Sequence, residues 1–235
     1  MSFFQLKPQH FSGDSKNKHT IVKKIIVVAD ASPNFMKVAP VLNVLEHQRM
    51  ERRLVHTGQY YDSAMSDAFF EDLKMRPPDV NLDVGSGSHT EQTAKVMMAF
   101  EPVCKQERPD WVVVVGDVNS TLACALVARK LGIAVARVEA GLRSGDMGMP
   151  EEVNRVCTDA ISNLLFTSEE SGNHNLRREG VPEGRIRFVG NTMIDSLLGH
   201  ITEARATPLP DGLAGCYAVL TLHRPANVDD AQNLQ

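Results

Sequence analysis

From Lys23 onward, short apolar runs rich in β-branched residues alternate with longer segments whose apolar positions recur every three or four residues. The runs predict strands over Lys24–Ala29, Arg53–His56, Val80–Val84, Trp111–Val115, Ala134–Val138, Leu164–Thr167, Ile186–Val189 and Tyr217–Leu222. Several of them lack the polar alternation of a half-solvated strand, as expected where both faces are covered. Between the strands, Val38, Val41, Leu42 and Leu45 form one helical stripe, Met65, Phe69 and Leu73 a second, and Leu122, Leu126 and Val127 a third. Strand and helix in regular alternation predict an α/β fold with a doubly wound parallel sheet.

The first 22 residues follow neither period and are expected to form a mobile extension. They lack the apolar core of a secretory signal, and no apolar run nears the ~20 residues of a membrane helix. A cytoplasmic location and no membrane partner are expected. With 235 residues, 43% of them hydrophobic, the chain has enough material for one substantial domain and part of another. Its 25 Lys+Arg are interspersed among 29 Asp+Glu for a net charge of −4, which argues against nucleic acid or an anionic surface as partner and favours a small molecule. The four cysteines are far apart with no C-x-x-C pair, so reduced packing thiols are expected, not a metal site or disulfide framework.

In a doubly wound sheet the ligand lies outside the carboxyl ends of the strands, near the point where the winding reverses. The residues just after the predicted strands are small or hydrogen-bonding: Asp30-Ala31-Ser32, Thr57-Gly58-Gln59, Gly116-Asp117, Glu139-Ala140-Gly141, Ser168, Gly190-Asn191-Thr192 and His223-Arg224. Asp117 is either a proton-handling carboxylate or the N-cap of a helix starting near Asn119. Glu139, at the end of a buried strand and followed by Ala-Gly, is poorly placed for a solvated charge and reads as functional. Glu151 and Glu152 follow Pro150, a first-turn proline, where the helix dipole favours acids whatever the chemistry; Glu152 is assigned that structural role. His223-Arg224 offers a donor pair suited to phosphate. Gly85-Ser86-Gly87-Ser88 lacks the Lys of a P-loop and reads as a turn before a helix, and no G-x-G-x-x-G follows the first strand. No cofactor and no metal are expected.

The segments PNFMKVAP, HTGQYYD, VVVVGDVNSTLA, VEAGLRSGD, MPEEVNR, VGNTMIDSLL and LTLHRPANVD together resemble, in order and spacing, the motif series of the non-hydrolysing UDP-N-acetylglucosamine 2-epimerases. The resemblance implies the amino-terminal half of a glycosyltransferase-B-type fold: two Rossmann-like domains across a cleft that holds a UDP-sugar, commonly in a homodimer. It implies an isomerase that interconverts UDP-GlcNAc and UDP-ManNAc by eliminating and re-adding UDP. By motif position Asp117, Glu139, Glu151 and His223 are then catalytic, and Lys37, Arg143, Asn191 and Arg224 bind substrate. Hydrolysing 2-epimerases share most of these motifs.

The chain departs from that pattern in several places. Asp30-Ala31-Ser32-Pro33 stands where Gly-Thr-Arg-Pro is usual, so an arginine expected at the diphosphate is missing and an acid is added. Gln59-Tyr60-Tyr61-Asp62 stands for Gln-His-Tyr-Asp, and Asp146-Met147-Gly148-Met149 for Asp-Arg-Thr-Met. The domain plan is an extension over 1–22, a Rossmann-like domain over 23–190, a helix and connector over 191–215, and a strand with a stub of helix over 216–235. Most of a second domain is then absent from these residues, and the chain is expected to be either a fragment of a longer enzyme or a naturally shortened, catalytically silent relative, with no epimerase activity on its own.

Overall fold

Seven strands, all parallel, make one sheet in the computed structural model, which describes residues 24–30, 32–48, 50–58, 70–209 and 217–220. The strands are β1 (Lys24–Ala29), β2 (Glu51–Gly58), β3 (Val80–Val84), β4 (Trp111–Val115), β5 (Ala134–Val138), β6 (Leu164–Thr167) and β7 (Ile186–Phe188). Their spatial order is β3-β2-β1-β4-β5-β6-β7, so the winding reverses between β1 and β4. The main helices are α1 (Ser32–His47), α2 (His89–Glu107), α3 (Asn119–Lys130), α4 (Pro150–Ile161), α5 (Glu170–Arg178) and α6 (Thr192–Ala206). The doubly wound α/β class expected from the sequence is the one observed.

Side-chain alternation along the strands divides the core in two. Ile25, Val27, Val113, Val115, Ala136 and Val138 face one layer with Val38, Val41, Leu42 and Leu45 of α1. Ile26, Val28, Val112, Val114 and Val135 face the other, with Val96 and Phe100 of α2 and Ala123, Cys124 and Val127 of α3. Every residue of β4 is buried, as its unbroken apolar run requires.

Some expectations shift. β2 extends past the Arg53–His56 run because Glu51 and Arg52 pair with Lys24 and Ile25 in the ladder, their charges being met by Lys24 at 3.3 Å and Glu46 at 2.8 Å. In α3 the buried stripe is made by small residues, Ala123, Cys124, Ala125 and Ala128 with Val127, while Leu122 and Leu126 are half-exposed. Short side chains let neighbouring helices approach closely. Met65, Phe69 and Cys216 lie outside the described residues, as does the segment 1–22. Cys104 and Cys124 are buried, and burial pushes the Cys104 thiol up to about 12; Cys157 is exposed, so it is not the packing thiol expected.

The chain divides into two units, Met1–His200, which holds the sheet, and Ile201–Gln235. In the second, Tyr217–Leu220 form no strand, and Val219 and Leu220 are each 80% exposed. The strand expected over Tyr217–Leu222 is therefore not seen in these four residues, all of which are exposed. Its last two residues lie outside the described ones.

Gly141 is held at φ +80°, and a Cβ there would lie 2.8 Å from the Cα of Gly172. Gly132 has nearly the same φ, +76°, with nothing within 4 Å. Gly132→Ala is expected to cost about 1–2 kcal/mol in backbone strain alone, and Gly141→Ala about 1–3 kcal/mol more from the collision. Urea unfolding of the two variants beside the parent checks the difference; equal costs would mean that Gly172 yields freely.

Candidate active site

The carboxyl ends of β1, β4 and β5 carry the polar residues that the sequence singles out. β1 ends at Asp30, whose Oδ1 accepts from Thr57 Oγ1 at 2.8 Å. β4 runs into Gly116 at φ +76° and then Asp117. The N-cap of α3 is Val118, with no side-chain cap bond, so Asp117 is not the helix cap that was its alternative reading. Its carboxylate is instead ion-paired with Arg155 of α4, Oδ2 to Nη1, and stays 34% exposed.

β5 ends in Glu139, a non-glycine residue at φ +64°. Such a backbone costs on the order of 1–3 kcal/mol and persists only where its surroundings enforce it. Here Ala140 N–H donates to Phe166 O at 2.9 Å, and Gly141 N–H donates to the buried Asp159 Oδ2 at 3.0 Å. Glu139 Oε2 meets Lys37 Nζ of α1 at 2.6 Å, both side chains being largely buried. A Cβ at Gly116 would lie 3.1 Å from Asn34 Oδ1 and 3.8 Å from Lys37 Nζ, so Gly116, Asn34, Lys37 and Glu139 form one cluster across the reversal point.

Glu151 and Glu152 lie in the first turn of α4 with Pro150 at its start, as expected, yet they differ sharply. Glu151 is half-buried and makes no hydrogen bond or ion pair with a described residue. Glu152 is buried, accepting from Ser144 N at 3.1 Å, Gly145 N at 3.0 Å and Arg155 Nε at 2.7 Å. Its role is thus to hold the loop after β5, which goes beyond the helix dipole. Burial pushes its carboxyl up, but the Ser144 N–H, the Arg155 guanidinium and the Gly145 N–H outweigh that and bring it down to about 2.

Of the remaining candidates, Arg143 is 8% exposed, with Nη1 2.8 Å from Asp159 Oδ2 and Nη2 2.7 Å from Glu179 Oε2. Asn191 Oδ1 accepts from Met193 N at 2.9 Å, at the start of α6. Both are engaged in holding the fold. His223 and Arg224 lie outside the described residues. Gly85–Ser88 connects β3 to α2 without regular structure, and Ser88 caps α2 in a reciprocal box with Glu91.

Arg137 and Asp159 lie outside the motifs, and Asn154 and Arg155, though inside MPEEVNR, were given no role. Fully buried Arg137 donates to Asp159 Oδ1 at 2.8 Å, to Arg155 O, and to Gly116 O at 3.3 Å. Asn154 Nδ2 donates to Asp117 O at 2.9 Å. A signal was present: an arginine inside the apolar run AVARV of β5 must find a buried partner.

The chain is thus a doubly wound α/β protein that gathers carboxylates after two adjacent strands and at the start of a helix, groups of the kind that can exchange protons with a ligand. The UDP-N-acetylglucosamine 2-epimerase family model matches residues 43–235, and the chain belongs to that family. It is 44% identical over 218 residues to the UDP-N-acetylglucosamine 2-epimerase of Methanocaldococcus jannaschii, a match covering 90% of this chain and 60% of the relative. It is 43% identical over 216 residues to the UDP-2,3-diacetamido-2,3-dideoxy-D-glucuronate 2-epimerase of Pseudomonas aeruginosa, again over 90% and 60%. The crystal structure of the M. jannaschii UDP-GlcNAc 2-epimerase in complex with UDP-GlcNAc and UDP matches with a TM-score of 0.82 at 43% identity, over 90% of this chain and 59% of that one. The chain therefore spans about 60% of the length of these curated relatives. A lipopolysaccharide galactosyltransferase at 15% identity, TM-score 0.53, shares the fold alone.

Because the Glu152 carboxyl is depressed in the folded protein, its stabilisation is complete above the ordinary carboxyl value of 4.5 and is lost as pH falls from there toward 2. Glu152→Gln is expected to lower stability on the order of 3 kcal/mol at pH 7. The gap should narrow steadily below pH 4.5 in urea titrations; a gap independent of pH would contradict the charge-based account.

Proposed function

We propose that this chain supplies the acid–base half of the active site of a UDP-N-acetylglucosamine 2-epimerase. The observation that carries the reading is Glu139, set in a strained backbone against Lys37 and beside Gly116-Asp117, at the reversal point where doubly wound sheets bind ligands.

The proposed reaction fits this chemistry. A carboxylate takes the C2 proton, the C1–O bond to UDP breaks with its electron pair leaving on the diphosphate, and a C1=C2 double bond forms. UDP then re-adds at C1 while C2 is protonated on the opposite face. Inversion at C2 needs one proton-handling group on each face, and Asp117, Glu139 and Glu151 are the carboxylates available for the task. Lys37 supports Glu139 from the pocket floor. His223 and Arg224 are assigned to the leaving diphosphate, whose charge develops as C1–O breaks. Arg143 and Asn191 shape the rim through the loop after β5 and the start of α6. The related P. aeruginosa enzyme makes the sugar's C3 and C6 substituents the main alternative in substrate choice; its name specifies a diacetamido-glucuronate.

Homodimerisation and a cytoplasmic location belong to the same proposal. Met98 of α2, 67% exposed, and Leu131 after α3 form an apolar surface suited to a second copy. Met98→Glu is expected to shift the protein toward monomer in sedimentation; an unchanged state would remove this face from the interface.

The 235-residue chain alone is expected to be silent toward UDP-GlcNAc. Fused to the remaining carboxyl-terminal part of the M. jannaschii relative and incubated in D2O, it is expected to yield UDP-ManNAc carrying deuterium at C2, read by NMR. Glu139→Gln in that fusion should lower kcat by roughly 10²-fold or more, with a smaller change in KM. Product that keeps the substrate's C2 proton rules out elimination, free ManNAc marks a hydrolysing enzyme, and a fusion that binds UDP-GlcNAc without turnover overturns the reading.

A further inference from the structure

Arg155 is not one of the site residues assigned from the motifs, yet its side chain pairs with the proposed catalytic carboxylate Asp117. Its Nη1 pairs with Asp117 Oδ2, its Nε lies 2.7 Å from Glu152 Oε2, and its carbonyl accepts from Arg137, two residues before Glu139 on β5. Its neighbour Asn154 holds the Asp117 carbonyl at 2.9 Å. Asp117 is therefore gripped twice by α4, once at its backbone and once at its carboxylate. We infer that Arg155 is a positioning residue for the reaction, acting through Asp117. The inference rests on the epimerase reading above.

Three physical points support it. Asp117 is a third exposed on a short loop between β4 and α3, and with no contact from its carboxylate to its own helix a free side chain would sample several rotamers. Arg155 selects one of them. Second, the guanidinium is itself fixed: Glu152, buried and ionised, holds Nε, so the plane of the fork is set before Asp117 meets it. Third, Glu152 also binds the N–H groups of Ser144 and Gly145. The loop that follows Glu139 and the carboxylate that follows β4 thus share one linker, Glu152–Arg155. A lysine cannot replace it, since a single ammonium on a flexible stem cannot hold both carboxylates in a fixed plane.

The test uses the active fusion described above and compares Arg155→Gln, Arg155→Lys, Asp117→Asn and the double variant Asp117→Asn/Arg155→Gln. Arg155→Gln is expected to lower kcat roughly 10- to 100-fold, with KM within about threefold, because misplacing a reacting group affects the chemical step. Arg155→Lys should recover only part of the loss. In the Asp117→Asn background the Arg155→Gln change should cost less than about threefold, since a residue that acts through Asp117 has nothing left to position. Full additivity in that cycle, or a kcat within twofold of the parent in Arg155→Gln, overturns the inference while leaving the epimerase reading intact. A parent fusion that binds UDP-GlcNAc but never turns over overturns both. Should Arg155→Gln fail to fold, Arg155→Lys alone and combined with Asp117→Asn provides the same cycle.

Discussion

The arrangement of the site depends on one buried ion pair, Arg137 with Asp159, both about 1% exposed. Burial pulls the proton affinity of the Arg137 guanidinium down, and Asp159 is the charge that opposes this. Asp159 uses its other oxygen for the Gly141 N–H and for Arg143. Arg137 precedes Glu139 by two residues and Gly141 follows it by two, so one carboxylate from α4 holds the strand end on both sides of the proposed catalytic acid. Removing either member of a buried pair leaves an uncompensated charge, at a cost of about 3–5 kcal/mol. The left-handed backbone at Glu139 is maintained by this clamp.

The clamp explains why α4 matters more than its sequence suggests. Glu152 in its first turn, Asn154 and Arg155 in the second and Asp159 in the third bond the residues around the ends of β4 and β5 in succession. Residues three or four apart on a helix share a face, which is how Glu152, Arg155 and Asp159 lie along one line. Asp117 belongs to one strand, Glu139 to the next, and Glu151 to the helix itself; α4 is the rigid body that relates all three.

Much of the fold was legible because burial on both sides of a parallel sheet leaves apolar runs, and β1, β4, β5 and β6 begin and end where those runs do. At its start β2 was underestimated because Glu51 and Arg52 join the ladder with their charges met by Lys24 and Glu46, a tertiary effect that periodicity does not register. The acids at the strand ends were legible for a topological reason: loops after parallel strands converge. Their supporting cast was not. Glu152 and Glu151 are indistinguishable by position in a first helical turn, and only the fold of the loop over Ser144 and Gly145 separates a loop clamp from a carboxylate with no described partner. Arg143 was assigned to substrate by motif position alone, which does not register its partners Asp159 and Glu179, 16 and 36 residues away.

That pairing bears on how a diphosphate would be met. Lys37 holds Glu139, Arg143 holds Asp159 and Glu179, and Arg155 holds Asp117 and Glu152. Each of these cations at the cleft is thus matched to a carboxylate of this same chain, and charge-assisted bonds of this kind are not given up without loss. The β1 loop adds Asp30, held by Thr57, where relatives of the usual pattern have no acid, and Ser32 where they have arginine. On the proposed reaction, this half therefore organises proton transfer rather than leaving-group charge. On the same proposal, His223 and Arg224 are the residues of this chain assigned to the diphosphate.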